Sequence, residues 1–257
     1  MRVKLLLIML MLSLTACVTT EEKVFKKNIS AEKELESRVQ VAISYLQNNN
    51  PEQAIAQLKR ALDINPKSAR VHEVLGLALE STGELERAEY HFEKMLRYDG
   101  EYTRGRANYA AYLMRRGDFP KAYKELKVVT NDIYYQNRAI AFQQLAICAE
   151  KLQKYEEVEP AYQRAVALDN NFTPALIELA IIKFNNKDYP EAHKYFDQYR
   201  EKVSQSSARA LLLGVKLARI FEDKSAEASY ALALKNLYPK SAEYLEYIQN
   251  IRDNNNG

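Results

Sequence analysis

The most informative segment of the chain reads Arg70-Val71-His72-Glu73-Val74-Leu75-Gly76-Leu77-Ala78-Leu79 and runs into Ser81-Thr82-Gly83-Glu84. Its apolar residues recur at helical spacing, and the polar run with glycine is typical of a tight turn before a second helix. That second helix carries Ala88, Phe92 and Met95. Gly76 and Ala88 are small, which lets two antiparallel helices approach closely. The segment therefore predicts a helical hairpin that needs neighbouring copies to bury its apolar faces.

Copies of this hairpin follow one another along most of the chain. The Leu-Gly, Ala and large apolar positions match the 34-residue tetratricopeptide-repeat (TPR) pattern, with a slip of two residues around 132–136. The sequence thus predicts an all-α TPR superhelix of about six helix-turn-helix repeats plus a C-terminal capping helix. The predicted repeats are 35–68, 69–102, 103–136, 139–172, 173–206 and 207–239, all within 35–239. A capping helix and polar tail follow at 240–257, with Tyr244, Leu245 and Ile248 packed on the sixth repeat.

The first 34 residues are predicted to lie outside the repeats. Residues 1–16 combine two basic residues with an apolar run too short to span a bilayer, as in a lipoprotein signal peptide. Leu14-Thr15-Ala16-Cys17 resembles the bacterial lipobox, in which the cysteine is acylated; an ordinary signal peptide that contains a cysteine is the alternative. Val18 follows the cysteine, which by lipoprotein sorting rules favours the outer membrane. We expect Cys17 and a flexible tether over 17–34 to hold the chain there, facing the periplasm.

Charge and cysteine content argue against several classes of function. Removing Arg2 and Lys4 from the 37 basic residues leaves 35 against 34 acidic ones, a balance with no long-range attraction for nucleic acid. With Cys17 acylated, Cys148 is the remaining thiol, so an intramolecular disulfide is excluded. Beside Ile147 in a predicted first helix, Cys148 is interpreted as a small buried apolar residue.

Residues with catalytic or ligand-binding chemistry form no recognisable motif in the sequence. His72, His91 and His193 lie on different predicted helices without cysteine or carboxylate partners at metal-ligand spacing. A nucleophile elbow, a phosphate-binding loop and a dinucleotide fingerprint are missing from the sequence. The sequence therefore predicts no enzyme activity, no metal, no cofactor and no small-molecule substrate.

A protein-binding groove is the better hypothesis, because stacked hairpins form a concave surface from their first helices. The fifth and ninth positions of each first helix point into that surface, and ten of these twelve residues are apolar. An apolar groove suits an amphipathic or hydrophobic peptide segment. Alternatively, the groove residues cover one another; we favour an open groove in the first four repeats. The groove candidates are Val39, Ile43, Leu77, Ala111, Met114 and Ile147.

The last repeat carries a more particular resemblance. Leu211-Leu212-Leu213-Gly214-Val215-Lys216-Leu217-Ala218-Arg219-Ile220-Phe221-Glu222-Asp223, with Ala228-Ser229-Tyr230 and Leu234-Lys235-Asn236-Leu237-Tyr238-Pro239, is similar to the C-terminal end of the type IV pilus biogenesis lipoproteins called PilF or PilW. Asn108-Tyr109-Ala110-Ala111-Tyr112-Leu113 resembles that family too. Val158 stands where the family usually has alanine.

The resemblance implies a pilotin, an outer-membrane lipoprotein that binds the pilus secretin subunit and promotes its targeting and multimerisation, hence pilus biogenesis. Cys17 would then anchor the chain, and the groove candidates would contact the secretin. A TPR lipoprotein adaptor for cell-wall hydrolases or another envelope complex is the alternative. An enzyme whose active site is assembled between helices is a third hypothesis.

Overall fold

The computed structural model describes the backbone of residues 18–255 and the side chains of residues 30–252. This part of the chain holds thirteen α-helices and no strand. Described residues up to Tyr112 pack as one unit, and those from Leu113 as a second. The helices are α1 (Val18–Gln47), α2 (Pro51–Ile64), α3 (Ala69–Ser81), α4 (Leu85–Tyr98), α5 (Thr103–Arg115), α6 (Phe119–Asn131), α7 (Arg138–Lys151), α8 (Tyr155–Leu168), α9 (Thr173–Asn185), α10 (Tyr189–Arg200), α11 (Ala208–Ile220), α12 (Lys224–Leu237) and α13 (Ala242–Asn255).

The turn inside each hairpin repeats the same backbone conformation. One residue with a positive φ lies between the first and second helix of every repeat: Asn49, Gly83, Gly117, Gln153, Lys187 and Glu222. These positions follow one another after 34, 34, 36, 34 and 35 residues. The step of 36 contains the slip that the sequence predicted around residues 132–136. The 34-residue period and its slip are therefore properties of the folded chain.

The segment 18–34 differs from the sequence prediction. Instead of a flexible tether, the described chain from Val18 onwards is helical and continues into the first repeat as the 30-residue helix α1. Neither proline nor glycine occurs between Val18 and Asn50, and Glu22 precedes Lys26 by one helical turn. Polar composition alone does not prevent such a run from being helical. Residues 1–16 and Cys17 lie outside the described part of the chain.

Short polar side chains and proline occur at the starts of several second helices. The carboxylates of Asp118 and Asp188 accept hydrogen bonds from the backbone N–H groups of Lys121 and Glu191, and so cap α6 and α10. Pro51 is the first residue of α2, where its missing N–H has no partner to lose. In the first, third and fifth repeats, a proline or an aspartate cap therefore marks the start of the second helix.

Close helix approach depends on glycine at Gly76. A Cβ atom built there would lie 2.8–3.0 Å from ring carbons of Phe92, whose side chain is fully buried. The predicted small residue at this position thus lets α3 and α4 approach until the Phe92 ring covers the α3 backbone. Gly214 has the same role on α11, where the rings of Phe196 and Tyr230 are the neighbours.

Alanine and branched aliphatic side chains fill the cores of both units. In the first unit, Val39, Leu58 and Val74 belong to one buried cluster shared by α1, α2 and α3. In the second unit, Leu176, Phe196 and Leu217 belong to a cluster shared by α9, α10 and α11. Over residues 18–255, the structure contains no helix with both the length and the hydropathy needed to cross a bilayer.

The C-terminal helix α13 packs on the sixth repeat, with one correction to the sequence prediction. Tyr244 contacts the buried cluster that contains Leu211 and Leu212, as expected. Leu245 was predicted to pack there as well, but its side chain is 62% exposed. Neighbouring residues on a helix differ in direction by about 100°, so Tyr244 and Leu245 cannot both face α11.

Candidate protein-binding surface

The twelve predicted groove positions divide into two classes by burial. Residues at the ninth position of the first helices are half-buried in five of the six repeats, whereas most residues at the fifth position are buried. The half-buried residues at the ninth position are Ile43, Leu77, Ala111, Ile147 and Ile181, and the buried one is Val215. At the fifth position Val39, Glu73, Ala107 and Leu211 are buried, and Gln143 and Ile177 are half-buried. The accessible apolar surface therefore comes mainly from the ninth position, with Ile177 at the fifth position contributing as well.

Val39, a groove candidate from the sequence, is a core residue. Its side chain has no solvent exposure and lies in the cluster with Leu58, Val71 and Leu75. The reason is geometric: the fifth position of α1 faces the neighbouring helices of its own unit rather than solvent. A charge at position 39 would therefore disrupt folding and could not report on binding.

The other groove candidates are accessible and fall in both units. In the first unit, Ile43 on α1, Leu77 on α3 and Ala111 on α5 occupy the same position of three successive first helices. Repeat geometry places equivalent positions side by side, so these three residues form one apolar row. Met114 and Ile147, both half-buried, belong to the second unit. Each unit therefore presents accessible apolar side chains on its first helices.

Glu73 is a buried carboxylate in the first unit that the sequence analysis placed in the groove. Its side chain is 2% exposed and accepts hydrogen bonds from Tyr102 Oη at 2.5 Å, Asn108 Nδ2 at 2.6 Å and Arg104 Nη2 at 3.2 Å. Arg104 also bonds to the Tyr102 hydroxyl. Burial and the neighbouring Glu73 carboxylate raise the pKa of the Tyr102 phenol. The three donors satisfy the carboxylate and join α3 to the start of the next repeat.

Similar ion pairs link the first helices within each unit. In the first unit, Arg70 Nη1 lies 2.6 Å from Glu36 Oε2. In the second unit, Arg209 binds both oxygens of Glu178, at 2.7 and 3.2 Å. The partners in these two pairs and in Glu73–Arg104 are 31–34 residues apart, about one repeat, which is the signal by which sequence reasoning could have found them. These bonds fix the spacing of neighbouring first helices, and with it the spacing of the apolar residues between them.

His72 and His91 form a pair inside the second repeat. His72 Nε2 lies 3.1 Å from the Pro66 carbonyl oxygen, which only accepts, so Nε2 carries the proton. His72 Nδ1 then accepts a hydrogen bond from His91 Nδ1 at 2.8 Å. Burial, followed by the charges of His72 and Arg87, lowers the pKa of His91 to about 4; burial also lowers that of His72. Both rings are therefore neutral at pH 7.

Cys148 and the acidic, histidine and cysteine side chains were the remaining residues with possible chemistry. Cys148 is fully buried, and burial raises the pKa of its thiol to about 12, in line with its predicted role as an apolar core residue. Among residues with described positions, no group of three or more His, Cys, Asp or Glu side chains is placed to hold a metal ion. Accessible apolar side chains on rigidly spaced helices suit a polypeptide ligand.

Comparison with known proteins places this architecture in a class. The tetratricopeptide-repeat family matches residues 41–102, which span most of the first and second repeats. The solved structure of PilF from Pseudomonas aeruginosa superimposes with a TM-score of 0.80 over 86% of this chain and 99% of that chain, at 31% identity. The molecule is thus an all-α TPR protein, and the predicted fold class is confirmed.

Sequence identity over the whole length then gives the family. The type IV pilus assembly protein PilF of Pseudomonas aeruginosa is 31% identical over 243 residues, covering 94% of this chain and 96% of PilF. The structure of PilW, a widely conserved type IV pilus biogenesis factor, matches with a TM-score of 0.68 at 25% identity, over 83% of this chain and 98% of PilW. The chain belongs to the PilF/PilW family of TPR proteins.

Proposed function

We propose that this protein is a pilotin: a lipoprotein, anchored in the outer membrane through Cys17, that binds the type IV pilus secretin subunit and promotes its targeting and multimerisation. The observation that carries the proposal is the match of nearly the whole chain, at 31% identity, to a type IV pilus assembly protein. A match of this length includes every repeat, so the relationship is not limited to the generic TPR positions.

The apolar row of Ile43, Leu77 and Ala111 is the surface we assign to the secretin segment. Its residues are half-buried, so part of each side chain is still exposed. A partner can cover this exposed apolar area without the first unit having to open. The buried Glu73 carboxylate, paired with Arg104, links α3 to α5 and so favours one spacing of the row, to which the more exposed Glu36–Arg70 pair adds little. Such a row fits an amphipathic helix or an extended segment with regularly spaced apolar side chains.

The anchor supports the same proposal through effective concentration. Acyl chains on Cys17 would keep the TPR body beside the outer membrane, and a secretin subunit bound there would be concentrated where it inserts. No catalytic step is needed for this activity, because assembly of the ring would follow from recruitment alone. Type IV pilus biogenesis would then depend on the affinity of this protein for the secretin subunit and on its location at the outer membrane.

Co-purification from detergent-solubilised membranes tests the proposal. Ile43→Glu places a charge in the apolar row and should reduce recovery of the secretin subunit by about tenfold. Because Ile43 also packs against the buried cluster of the first unit, recovery is compared at equal amounts of folded protein, judged by circular dichroism. The matched control is Val41→Glu, on the same helix two residues away. Val41 is 41% exposed, and residues two apart on a helix face different directions.

Three outcomes separate the hypotheses. Loss of the secretin with Ile43→Glu but not with Val41→Glu supports the assigned surface. Equal recovery of the secretin with both variants would reject the surface. Recovery of a cell-wall hydrolase in place of any secretin subunit would reject the pilotin function in favour of the adaptor alternative.

A further inference from the structure

The C-terminal helix α13 is less buried than the other helices of the described chain. Each of α1 to α12 contributes at least two buried side chains, whereas none of residues 242–252 is buried. Leu245 on its outer side is 62% exposed, and Tyr244, Tyr247 and Ile248 on its inner side remain half-buried. Because helices in globular proteins are stabilised mainly by the apolar face they bury, α13 is held more weakly than the repeats.

The surface under α13 is strongly apolar. Leu211 and Leu212 of α11 are 5% and 6% exposed, and Tyr244 and Tyr247 pack on them. On α9, the preceding first helix of the same unit, Ile177 and Ile181 are half-buried; they occupy the positions of Leu211 and Val215, whose side chains are buried on α11. The groove positions of the sixth repeat are thus buried, and the helix that covers this repeat is α13 of the same chain.

Besides the packing of Tyr244 and Tyr247, an ion pair and a short connection contribute to holding α13. Lys216 Nζ on α11 lies 2.6 Å from Glu246 Oε1, and both side chains are partly exposed, so the pair adds little stability. The connection from α12 is anchored at Tyr238, whose hydroxyl donates to the Ser206 carbonyl oxygen at 3.0 Å. Pro239 follows, and α13 starts after Ser241, whose Oγ accepts from the Tyr244 N–H at 3.1 Å. Rotation between Pro239 and Ser241 would move α13 without disturbing α12.

A groove lies beside α13, on the side of α11 that α13 partly covers. It has a volume of about 270 Å³ and lies between α9, α11 and α13. Ile181, Phe184 and Leu212 form its apolar floor, Arg209 and Lys216 stand on the repeat side, and Glu243 and Glu246 on the α13 side. A carboxylate on α13 therefore meets a cation on α11, and the apolar floor extends beyond the helix that now covers part of it.

We propose that α13 is a displaceable cap, and that the face of α11 beneath it is a second polypeptide-binding surface of this protein. Its ligand is an amphipathic helix with the chemistry of α13: aromatic side chains one turn apart for Leu211 and Leu212, and a carboxylate for Lys216. The inference rests on the proposed function only for the identity of the partner. Displacement of α13 is a property of the chain by itself.

Thiol labelling measures the opening of the cap in the full chain carrying Cys17→Ser. Leu212→Cys reports on the face beneath α13. Leu217→Cys is the matched control, because Leu217 is 1% exposed on the same helix but packs in the cluster with Phe196 and Leu176. Cys148, fully buried in α7, is an internal reference for wider unfolding. We expect the thiol at position 212 to react at least about tenfold faster than those at 217 and 148.

Glu246→Lys extends the test, since it replaces the attraction to Lys216 by repulsion. Labelling at position 212 should become several-fold faster in this variant, and labelling at 217 should stay unchanged. A fluorescent peptide of residues 241–255 is the probe for the open face. It should bind the Glu246→Lys chain more tightly than the wild type, because apparent affinity scales with the open fraction.

Two results would overturn the inference. Equal labelling rates at positions 212 and 217 would mean that α11 and α13 open together, as in simple fraying of the terminal repeat. Absence of peptide binding to the Glu246→Lys chain would mean that the face under α13 takes no helix in trans. Neither result involves a secretin, so a failure here is distinguishable from a failure of the pilotin function.

Discussion

At the scale of single residues, Glu73 shows how position in a repeat and physical role can differ. The repeat numbering placed its side chain in the groove, but the structure buries it and supplies three donors from the following repeat. An isolated sequence window could not reveal this, because Tyr102, Arg104 and Asn108 lie 29–35 residues away. The same limit applies to Val39, whose burial depends on how α1 packs against α2 and α3.

Glu73→Ala should lower the free energy of unfolding by about 2–4 kcal/mol, because it removes a buried acceptor and leaves the half-buried donors of Tyr102 and Asn108 without it. Glu36→Ala is the matched control: Glu36 also pairs with an arginine one repeat away, but its side chain is 43% exposed. The Glu36→Ala substitution should lower the free energy of unfolding by less than about 1 kcal/mol. Urea unfolding followed by circular dichroism compares the two. Similar losses of unfolding free energy in the two variants would show that the hydrogen-bonded Glu73 carboxylate is not buried in solution.

At the scale of helices, the hairpin α3–α4 was the best predicted part of the molecule. Leu75-Gly76 and Ala88 indicated a close approach of two helices, and Phe92 over Gly76 confirms it. The histidine pair within the same hairpin was not predictable. His72 and His91 are 19 residues apart, and the sequence does not show which sides of α3 and α4 face each other.

The histidine pair makes the stability of this hairpin depend on pH. The pKa of His91 is lowered from its ordinary value near 6.5 to about 4, so the unfolded chain binds a proton more readily than the folded one. The resulting stability is complete above pH 6.5 and is lost as the pH falls towards 4. Since His91 is only partly buried, we expect it to contribute about 1–2 kcal/mol.

His91→Gln should reduce the loss of unfolding free energy between pH 7 and pH 4.5 relative to wild type, because glutamine cannot be protonated. Urea unfolding at the two pH values gives the difference. His193→Gln is the control, since His193 is 46% exposed and pairs with Asp197 on the surface of α10. A pH dependence in His91→Gln as steep as in wild type would contradict the role assigned to the pair.

At the scale of the whole molecule, sequence periodicity was sufficient for the fold class and the repeat register. The positive-φ turn residues follow the predicted period and its two-residue slip as far as Lys187, and the last step is 35 residues where the sequence predicted 34. Sequence periodicity gave wrong predictions for the segments outside the repeats. Residues 18–34 were predicted to be flexible and are helical, and Leu245 on the capping helix faces solvent. The Cys17 anchor and the repeat bounds remain predictions.

The decisive measurement for secretin binding by the apolar row is the amount of assembled secretin multimer in outer-membrane fractions. A host strain that lacks this protein would be complemented with the wild type, with Ile43→Glu plus Leu77→Glu, or with Val41→Glu. We expect wild type and Val41→Glu to restore the multimer, and the double variant to leave it at least about tenfold lower while the protein stays folded and abundant. Full restoration of the multimer by the double variant would mean that the row does not bind the secretin.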